Sequence, residues 1–162
     1  MILNTFYSLL FTQNMYLIST KKAYNYVKRL EDCTLPKDEW THEVHLMVGL
    51  YMVLKYKNAA YAAMKERIWR YNEIQGKGND GTGFHATLTV FWLWAVKRFC
   101  DEKGITEFDE IAVDELLFYE PLSKRKMVEE YYHPAILMSP FARREFDFAD
   151  LKDMEGVEYF LN

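Results

Sequence analysis

Three of the four histidines lie in short segments whose spacing could bring their imidazoles together. His42 and His45 are three residues apart, so on a helix they would share one face; Glu39 would extend the same row, with Glu43 on the adjacent track. His85 comes from a separate segment, just after a glycine-rich stretch. Three histidines from two helices are the usual minimum for a catalytic Zn²⁺ or Fe²⁺ site that keeps a position open for water or substrate. The spacing therefore predicts a divalent-metal site held by His42, His45 and His85.

Two carboxylates near the histidine pair could move protons in such a site. Glu43 or Glu39 would serve as the acid or base for a metal-activated water, and Glu39 could instead be a fourth ligand. The segment from Glu39 to His42 also matches the Glu-x-x-His element of di-iron bundles, but the chain lacks a second copy with its own partner glutamates. The sequence thus favours a site of three histidines over a di-iron centre.

Aromatic and polar residues surround the histidine segments in the sequence. Trp40, Phe84, Trp92 and Trp94 predict an apolar enclosure, in which any buried polar group needs a partner. Threonines at helical spacing more often cap a helix or bond back to it, and arginines near a helix C-terminus more often complement its dipole. Beside these structural alternatives, the candidates for a ligand pocket are Thr41, Arg70, Tyr71, Thr87, Thr89 and Trp92.

The composition indicates one soluble domain with an interior rich in aromatic rings. The chain has 162 residues, of which 17% are aromatic, so many buried rings will carry a hydroxyl or N–H that needs a partner. A formal charge of -4 lacks the basic excess that nucleic-acid binding requires. Cys33 and Cys100 form neither a close pair nor a metal-finger spacing, so we interpret them as reduced packing residues, which is typical of a cytoplasmic protein.

The first eighteen residues are apolar without resembling a signal peptide or a membrane span. No basic residue precedes the apolar run. We therefore divide the chain into an N-terminal segment, residues 1–18, and a helical domain, residues 19–162, and we expect no association with a membrane. Met15 is an alternative start, with the preceding residues as an extension. Polar residues interrupt the run at Asn4, Thr5, Ser8, Thr12, Gln13 and Asn14.

Apolar periodicity and helix breakers predict an all-α, single-domain bundle of about five to seven helices with no significant sheet. A glycine-rich stretch, residues 76–83, must be a loop, and the acidic tail after Asp147 is expected to be irregular. The predicted helices run from Ser19 or Thr20 to near Cys33, from about Pro36 to Tyr56, from Ala59 to about Ile74, from Phe84 to Lys103, from Glu107 to Tyr119, from Lys124 to Tyr132 and from Pro140 to about Phe146.

Several short segments between residues 20 and 151 form a specific combination. They are Leu35-Pro36, the run from Trp40 to Leu46, Arg70-Tyr71-Asn72 with Gly76, the run from Gly83 to Thr89 with Phe91-Trp92-Leu93, Ser139-Pro140-Phe141-Ala142-Arg143, and Asp150-Leu151. In this combination the chain resembles an uncharacterised family of small helical bacterial proteins. The resemblance implies helices and a shared site, and it implies no particular activity.

Two positions depart from the pattern of that family. Ala86 stands where a glutamate is more familiar, and Phe84 stands where a tyrosine is. If that glutamate serves as an acid, base or ligand in relatives, the resemblance implies that this chain is inactive or uses Glu39 or Glu43 instead.

The sequence leaves three kinds of function open. The first is a metal-dependent enzyme that acts on a small molecule through a three-histidine site holding Zn or Fe. The second is a non-metal binding protein for a small, partly apolar ligand, with histidines and threonines as hydrogen-bonding groups and aromatic rings as walls. The third is a helical interaction module that self-associates, for example as a homodimer, through exposed aromatic and N-terminal apolar surfaces.

Overall fold

The computed structural model describes residues 21–79 and 81–161, which form an all-α fold. This part of the chain contains α-helices and short 3₁₀ helices and no β-strand, so the predicted fold class is confirmed. The predicted N-terminal segment, residues 1–18, lies outside the described residues. The α-helices are α1, of which residues 21–31 are described, α2 (His42–Tyr56), α3 (Ala60–Ile74), α4 (Ala86–Lys103), α5 (Glu110–Phe118), α6 (Glu120–Ser123), α7 (Pro134–Leu137) and α8 (Pro140–Arg144).

Side-chain caps explain where the helices begin. Four side chains accept a hydrogen bond from the backbone N–H three residues later: Thr41 on α2, His85 on α4, Asp109 on α5 and Ser139 on α8. Such caps satisfy one of the N–H groups that a helix start leaves without a partner. At the other end of α4, Gly104 adopts the left-handed conformation with φ 66°, a common way for a helix to end.

The predicted second helix started too early. Residues Lys37–Glu39 form a separate 3₁₀ helix, and the backbone leaves the helical region at Trp40 before α2 begins at His42. Thr41 has an extended backbone with φ -82° and ψ 173°, as its capping role requires, so one continuous helix cannot pass through it. The predicted row of Glu39 with the two histidines on one helix face is therefore wrong.

Helix α4 lies at the centre of the fold, as its apolar sequence predicts. It packs against α2, α3 and α8. The Phe91 ring, which is fully buried, lies 5.7 Å from the Trp94 ring and 5.4 Å from the Tyr131 ring. The indole N–H of Trp94 donates to the Glu155 carbonyl oxygen at 2.9 Å, so the polar group of this buried ring is satisfied.

The C-terminal segment, residues 145–161, is largely irregular, as predicted for the tail, and it is tied to the helical core. The fully buried Thr87 hydroxyl donates to the Glu145 carbonyl oxygen and accepts from the Asp147 N–H. The Tyr132 hydroxyl donates to the Asp147 carbonyl oxygen at 2.8 Å. These bonds hold the C-terminal segment against α4 and Tyr132.

Two further expectations concern the cysteines and the membrane. Cys33 and Cys100 are both free and buried, in agreement with their interpretation as packing residues. Among residues 21–79 and 81–161, none of the helices combines the length and apolar character required to cross a membrane.

Candidate functional site

A cavity of about 360 Å³ lies between α2, α3 and α4. This volume is within the usual range of small-molecule sites. Three helices and the segment before α4 supply mainly apolar walls, and a few polar side chains interrupt them. The apolar lining comprises Trp40, Gly49, Met64, Ile68, Gly83, Phe84, Leu88, Trp92, Leu93 and Val96, and the polar lining comprises His42, His45, His85, Thr89 and Arg125.

Both ring nitrogens of His85 form hydrogen bonds with backbone groups of the protein. Its Nδ1 accepts the Leu88 N–H at 3.3 Å, which caps α4. Because Nδ1 is the acceptor, the proton of the neutral ring is on Nε2, which donates to the Leu137 carbonyl oxygen at 2.9 Å. Burial lowers the pKa of His85 below its ordinary value, which favours this neutral ring. His85 therefore has no free lone pair for a metal or ligand.

His42 and His45 each use only one ring nitrogen in this way. The Nδ1 N–H of His45 donates to the Thr41 carbonyl oxygen at 2.6 Å, and the Nε2 N–H of His42 donates to the Leu122 carbonyl oxygen at 2.7 Å. Within the described part of the chain, Nε2 of His45 and Nδ1 of His42 have no hydrogen-bond partner. All buried side-chain nitrogens of the described residues have a hydrogen-bond partner, so these two atoms are accessible, and both rings line the cavity.

The electrostatic environment keeps the His45 ring neutral. Burial lowers the pKa of His45 to about 4, and the nearby positive charge of Arg125 acts in the same direction. At neutral pH its Nε2 therefore has a lone pair and can accept a hydrogen bond.

Aromatic neighbours fix the planes of both rings. The centroids of the Trp40 and His45 rings lie 3.7 Å apart with an angle of 32° between the planes. The His42 ring meets Trp92 at 4.6 Å and 69°, an edge-on contact. The two imidazoles are therefore held by packing as well as by their carbonyl partners.

The predicted three-histidine metal site is only partly assembled. His42, His45 and His85 do line the same cavity. However, no set of three His, Cys, Asp or Glu side chains in residues 21–79 and 81–161 is arranged to hold a metal ion. The physical reason at His85 is that a metal would have to replace its hydrogen bonds to α7 and to the start of α4. The Zn or Fe site stays a prediction that needs a rearranged His85.

The two predicted catalytic carboxylates lie outside the cavity lining. Glu39 accepts two hydrogen bonds from the Arg29 guanidinium, at 2.7 and 2.9 Å, so its carboxylate is bound to α1. Glu43 is exposed on the first turn of α2, and hydrogen bonding to Thr41 is the main cause of its lowered pKa. Glu43 remains close enough to His42 and Arg125 to interact through charge.

Of the six predicted pocket residues, Thr89 and Trp92 line the cavity. The other four make structural hydrogen bonds. Thr41 caps α2, Arg70 donates to the Glu31 carbonyl oxygen, and the buried Tyr71 hydroxyl donates to the Leu35 carbonyl oxygen at 2.9 Å. Thr87 binds the C-terminal segment as described above. The capping role considered for the threonines describes Thr41, whereas Thr87 and Arg70 bond to segments distant in sequence.

Sequence reasoning missed two lining residues of particular interest. Gly49 lies inside α2, and an added Cβ there would meet Val96 at 3.8 Å and Leu93 at 3.9 Å, which are ordinary contacts. Helix packing therefore does not require the glycine. Arg125 belongs to the 3₁₀ helix Arg125–Glu130, far along the chain from the histidines, and no local pattern signals its position.

Comparison of the chain with protein-family models, curated proteins and solved structures gave no match. The resemblance to the family of small bacterial proteins therefore stays a prediction. Ala86, where that family would have a glutamate, is fully buried at the first residue of α4. Ala86 is not among the residues that line the cavity.

Proposed function

We propose that the protein binds a small, largely apolar molecule in the cavity between α2, α3 and α4, and that His45 accepts a hydrogen bond from a hydroxyl or N–H group of that molecule. The observation that carries the proposal is the His45 ring: its Nδ1 N–H is bound to Thr41, its pKa is lowered to about 4, and its Nε2 is free in the described structure. An acceptor held in this way complements a ligand donor.

The walls of the cavity support the same function. Apolar surface that a ligand buries there contributes roughly 25 cal/mol per Å² before the costs of association are subtracted. A hydrogen bond to His45 within this mainly apolar lining adds orientation and selectivity, since a ligand without a donor would leave the imidazole nitrogen unpaired.

Gly49 adds a second argument. A glycine inside a helix costs roughly 1 kcal/mol relative to alanine, and the contacts around Gly49 leave room for a methyl group. A glycine kept in the lining without a packing reason is consistent with space reserved for a ligand. Such an exchange of stability for function is common at binding sites.

The first test uses 2-naphthol and 2-methoxynaphthalene, which have the same ring system but differ in the ability to donate a hydrogen bond. We expect 2-naphthol to bind with a Kd below 1 mM, about fivefold to tenfold more tightly than the methoxy compound, the equivalent of about 1 kcal/mol. Because Trp40 and Trp92 line the cavity, quenching of tryptophan fluorescence measures both affinities. His45→Phe should abolish the preference while keeping an aromatic ring.

His133→Phe is the matched control, because His133 is exposed and bound to Asp150 away from the cavity lining. It should leave both affinities unchanged. Binding of neither probe, or equal binding of both by the native chain, would contradict the proposed function.

A second prediction concerns Gly49→Ala. The added methyl group should raise the free energy of unfolding by about 0.5 to 1 kcal/mol, because it improves helix propensity without a clash. It should also weaken 2-naphthol binding severalfold, because it occupies part of the cavity. Urea unfolding and the fluorescence titration measure the two effects. A more stable variant with unchanged affinity would argue against Gly49 as part of the site.

Metal binding is the second candidate function, favoured by the observation that three histidines line one cavity. In that case Glu43 is the nearer of the two predicted acid or base residues, since Glu39 is paired with Arg29. Equilibrium dialysis of untagged protein against Zn²⁺, compared with His42→Ala/His45→Ala, tests it. Stoichiometric uptake that the double variant loses would support a metal site; equal uptake by both chains would dismiss it.

A further inference from the structure

The cavity lining also contains a cationic group, the guanidinium of Arg125, which is open to a ligand. Arg125 lines the cavity from the start of the 3₁₀ helix Arg125–Glu130, and its residue is exposed, so a ligand in the cavity can reach it. In the part of the chain that the structure describes, its guanidinium has neither an ion pair nor a hydrogen bond. By contrast, Arg29 binds Glu39 and Arg67 binds Glu31.

The other lining residues leave the charge of Arg125 uncompensated. No aspartate or glutamate is among the lining residues that the structure describes. The neutral His45 ring and the neutral His85 ring add no negative charge, and His42 can only add a positive one. The charge of Arg125 helps to lower the pKa of Glu43, but Glu43 is exposed and does not lie within ion-pair distance of Arg125.

We propose, on the basis of the ligand-binding function proposed above, that the natural ligand is an apolar organic acid whose carboxylate pairs with Arg125 while its hydroxyl or N–H group binds His45. A guanidinium can form two parallel hydrogen bonds with a carboxylate, and this pairing is stronger and more directional than a bond between neutral groups. The site thus selects an acid over its neutral analogue and disfavours a cationic ligand.

The chemistry of the ligand follows from the kinds of groups that line the cavity. The aromatic and aliphatic walls accommodate a ring or a short aliphatic body, the imidazole accepts from a donor on that body, and the guanidinium receives the acid. A hydroxylated aromatic monocarboxylic acid satisfies all three requirements. A polyanion does not, because the single guanidinium of the described lining cannot compensate several negative charges.

The test compares 6-hydroxy-2-naphthoate with 6-hydroxy-2-naphthamide, which share the ring and the hydroxyl but differ in charge. At low ionic strength we expect the native chain to prefer the acid about tenfold. Arg125→Gln should abolish this preference, because it weakens binding of the acid about tenfold more than binding of the amide. Lys126→Gln is the matched control, because it removes an exposed neighbouring cation that does not line the cavity; it should keep the preference.

The outcomes separate this inference from the proposed function. Equal affinity of the native chain for acid and amide, or an acid preference that survives in Arg125→Gln, would overturn the role of Arg125 while binding of the amide still supports the cavity as a ligand site. Failure of both compounds to bind would overturn both proposals. Loss of the acid preference in 0.5 M KCl, together with its loss in Arg125→Gln, would support the ion pair.

Discussion

Gly83→Ala is expected to lower the free energy of unfolding by about 3 kcal/mol, at the upper end of overpacking effects. A Cβ at Gly83 would overlap the Gly78 carbonyl oxygen and would lie 2.8 Å from Nδ2 of Asn72. A backbone oxygen cannot move aside as the end of a flexible side chain can, so the loop itself must shift.

The surroundings of Gly83 make that shift costly. Asn72 is buried, and its Nδ2 donates to Oδ1 of Asn79 at 3.0 Å; Nδ2 of Asn79 in turn donates to the Trp69 carbonyl oxygen at 3.1 Å. These bonds hold the loop against α3. Because Gly83 also lines the cavity, the substitution should weaken 2-naphthol binding as well as the fold.

Urea unfolding of Gly83→Ala beside Gly76→Ala provides the comparison. Gly76 has φ 68° and nothing within 4 Å of an added Cβ, so alanine there introduces only backbone strain of about 1 kcal/mol. If the two variants lost the same stability, steric overlap at Gly83 would not be the cause and the tight loop geometry would be in doubt.

Acidification is expected to destabilise the native chain by up to about 3 kcal/mol through His45 alone. Its pKa is lowered from 6.5 to about 4 on folding. Between these values the unfolded chain binds a proton that the native chain does not, so stability falls as the pH falls. The contribution of the neutral ring is fully present above about pH 6.5 and is lost progressively down to about pH 4.

Other titratable groups also lower the free energy of unfolding as the pH falls, so the experiment must separate their effect from that of His45. Burial also lowers the pKa of His85, which adds a loss of the same sign below its ordinary value. The lowered pKa values of Glu39 and Asp150 contribute stability that is lost only at lower pH, since the ordinary values of both carboxyls are already 4.5 or less. A histidine variant is therefore needed to isolate His45.

The measurement is the free energy of unfolding in urea at pH 7.5 and pH 4.5 for the native chain and for His45→Gln. Between pH 7.5 and pH 4.5 the free energy of unfolding should fall less in the variant than in the native chain, because the variant lacks the contribution of His45. His133→Gln, which alters an exposed histidine away from the cavity, should behave like the native chain. An unchanged pH dependence in His45→Gln would show that the ring is not held neutral by folding.

The helices could be predicted from the chain because their signals are local. Apolar residues recur along α4 at helical spacing, the glycine-rich stretch interrupts it on one side, and Gly104 ends it on the other. The placement of His42 and His45 on one helix followed from the same kind of signal. The start of α2 was predicted too early. Pro36 and the acidic residues after it favour a helix start, but they begin only a 3₁₀ helix, and α2 begins after the N-cap Thr41.

The site was predictable only in part. The three histidines reach one cavity with Thr89 and Trp92, as their aromatic surroundings indicated. The pairing of Glu39 with Arg29 of α1 and the position of Arg125 in the cavity lining were not predicted. Both depend on contacts between segments that are distant in sequence.

By itself, the amino-acid sequence determined that this chain forms capped helices around an aromatic core, since periodicity and capping depend on residues within one or two turns of each other. The tertiary structure alone decided what each imidazole can do. The Leu137 carbonyl oxygen on α7 accepts a hydrogen bond from Nε2 of His85. By contrast, Nδ1 of His45 donates to the Thr41 carbonyl oxygen, and Nε2 of His45 stays free. The bond from His45 to Thr41 is local, but the bonds from His85 to Leu137 and from His42 to Leu122 join segments far apart in sequence, so the packing of those segments decides which ring nitrogens stay free.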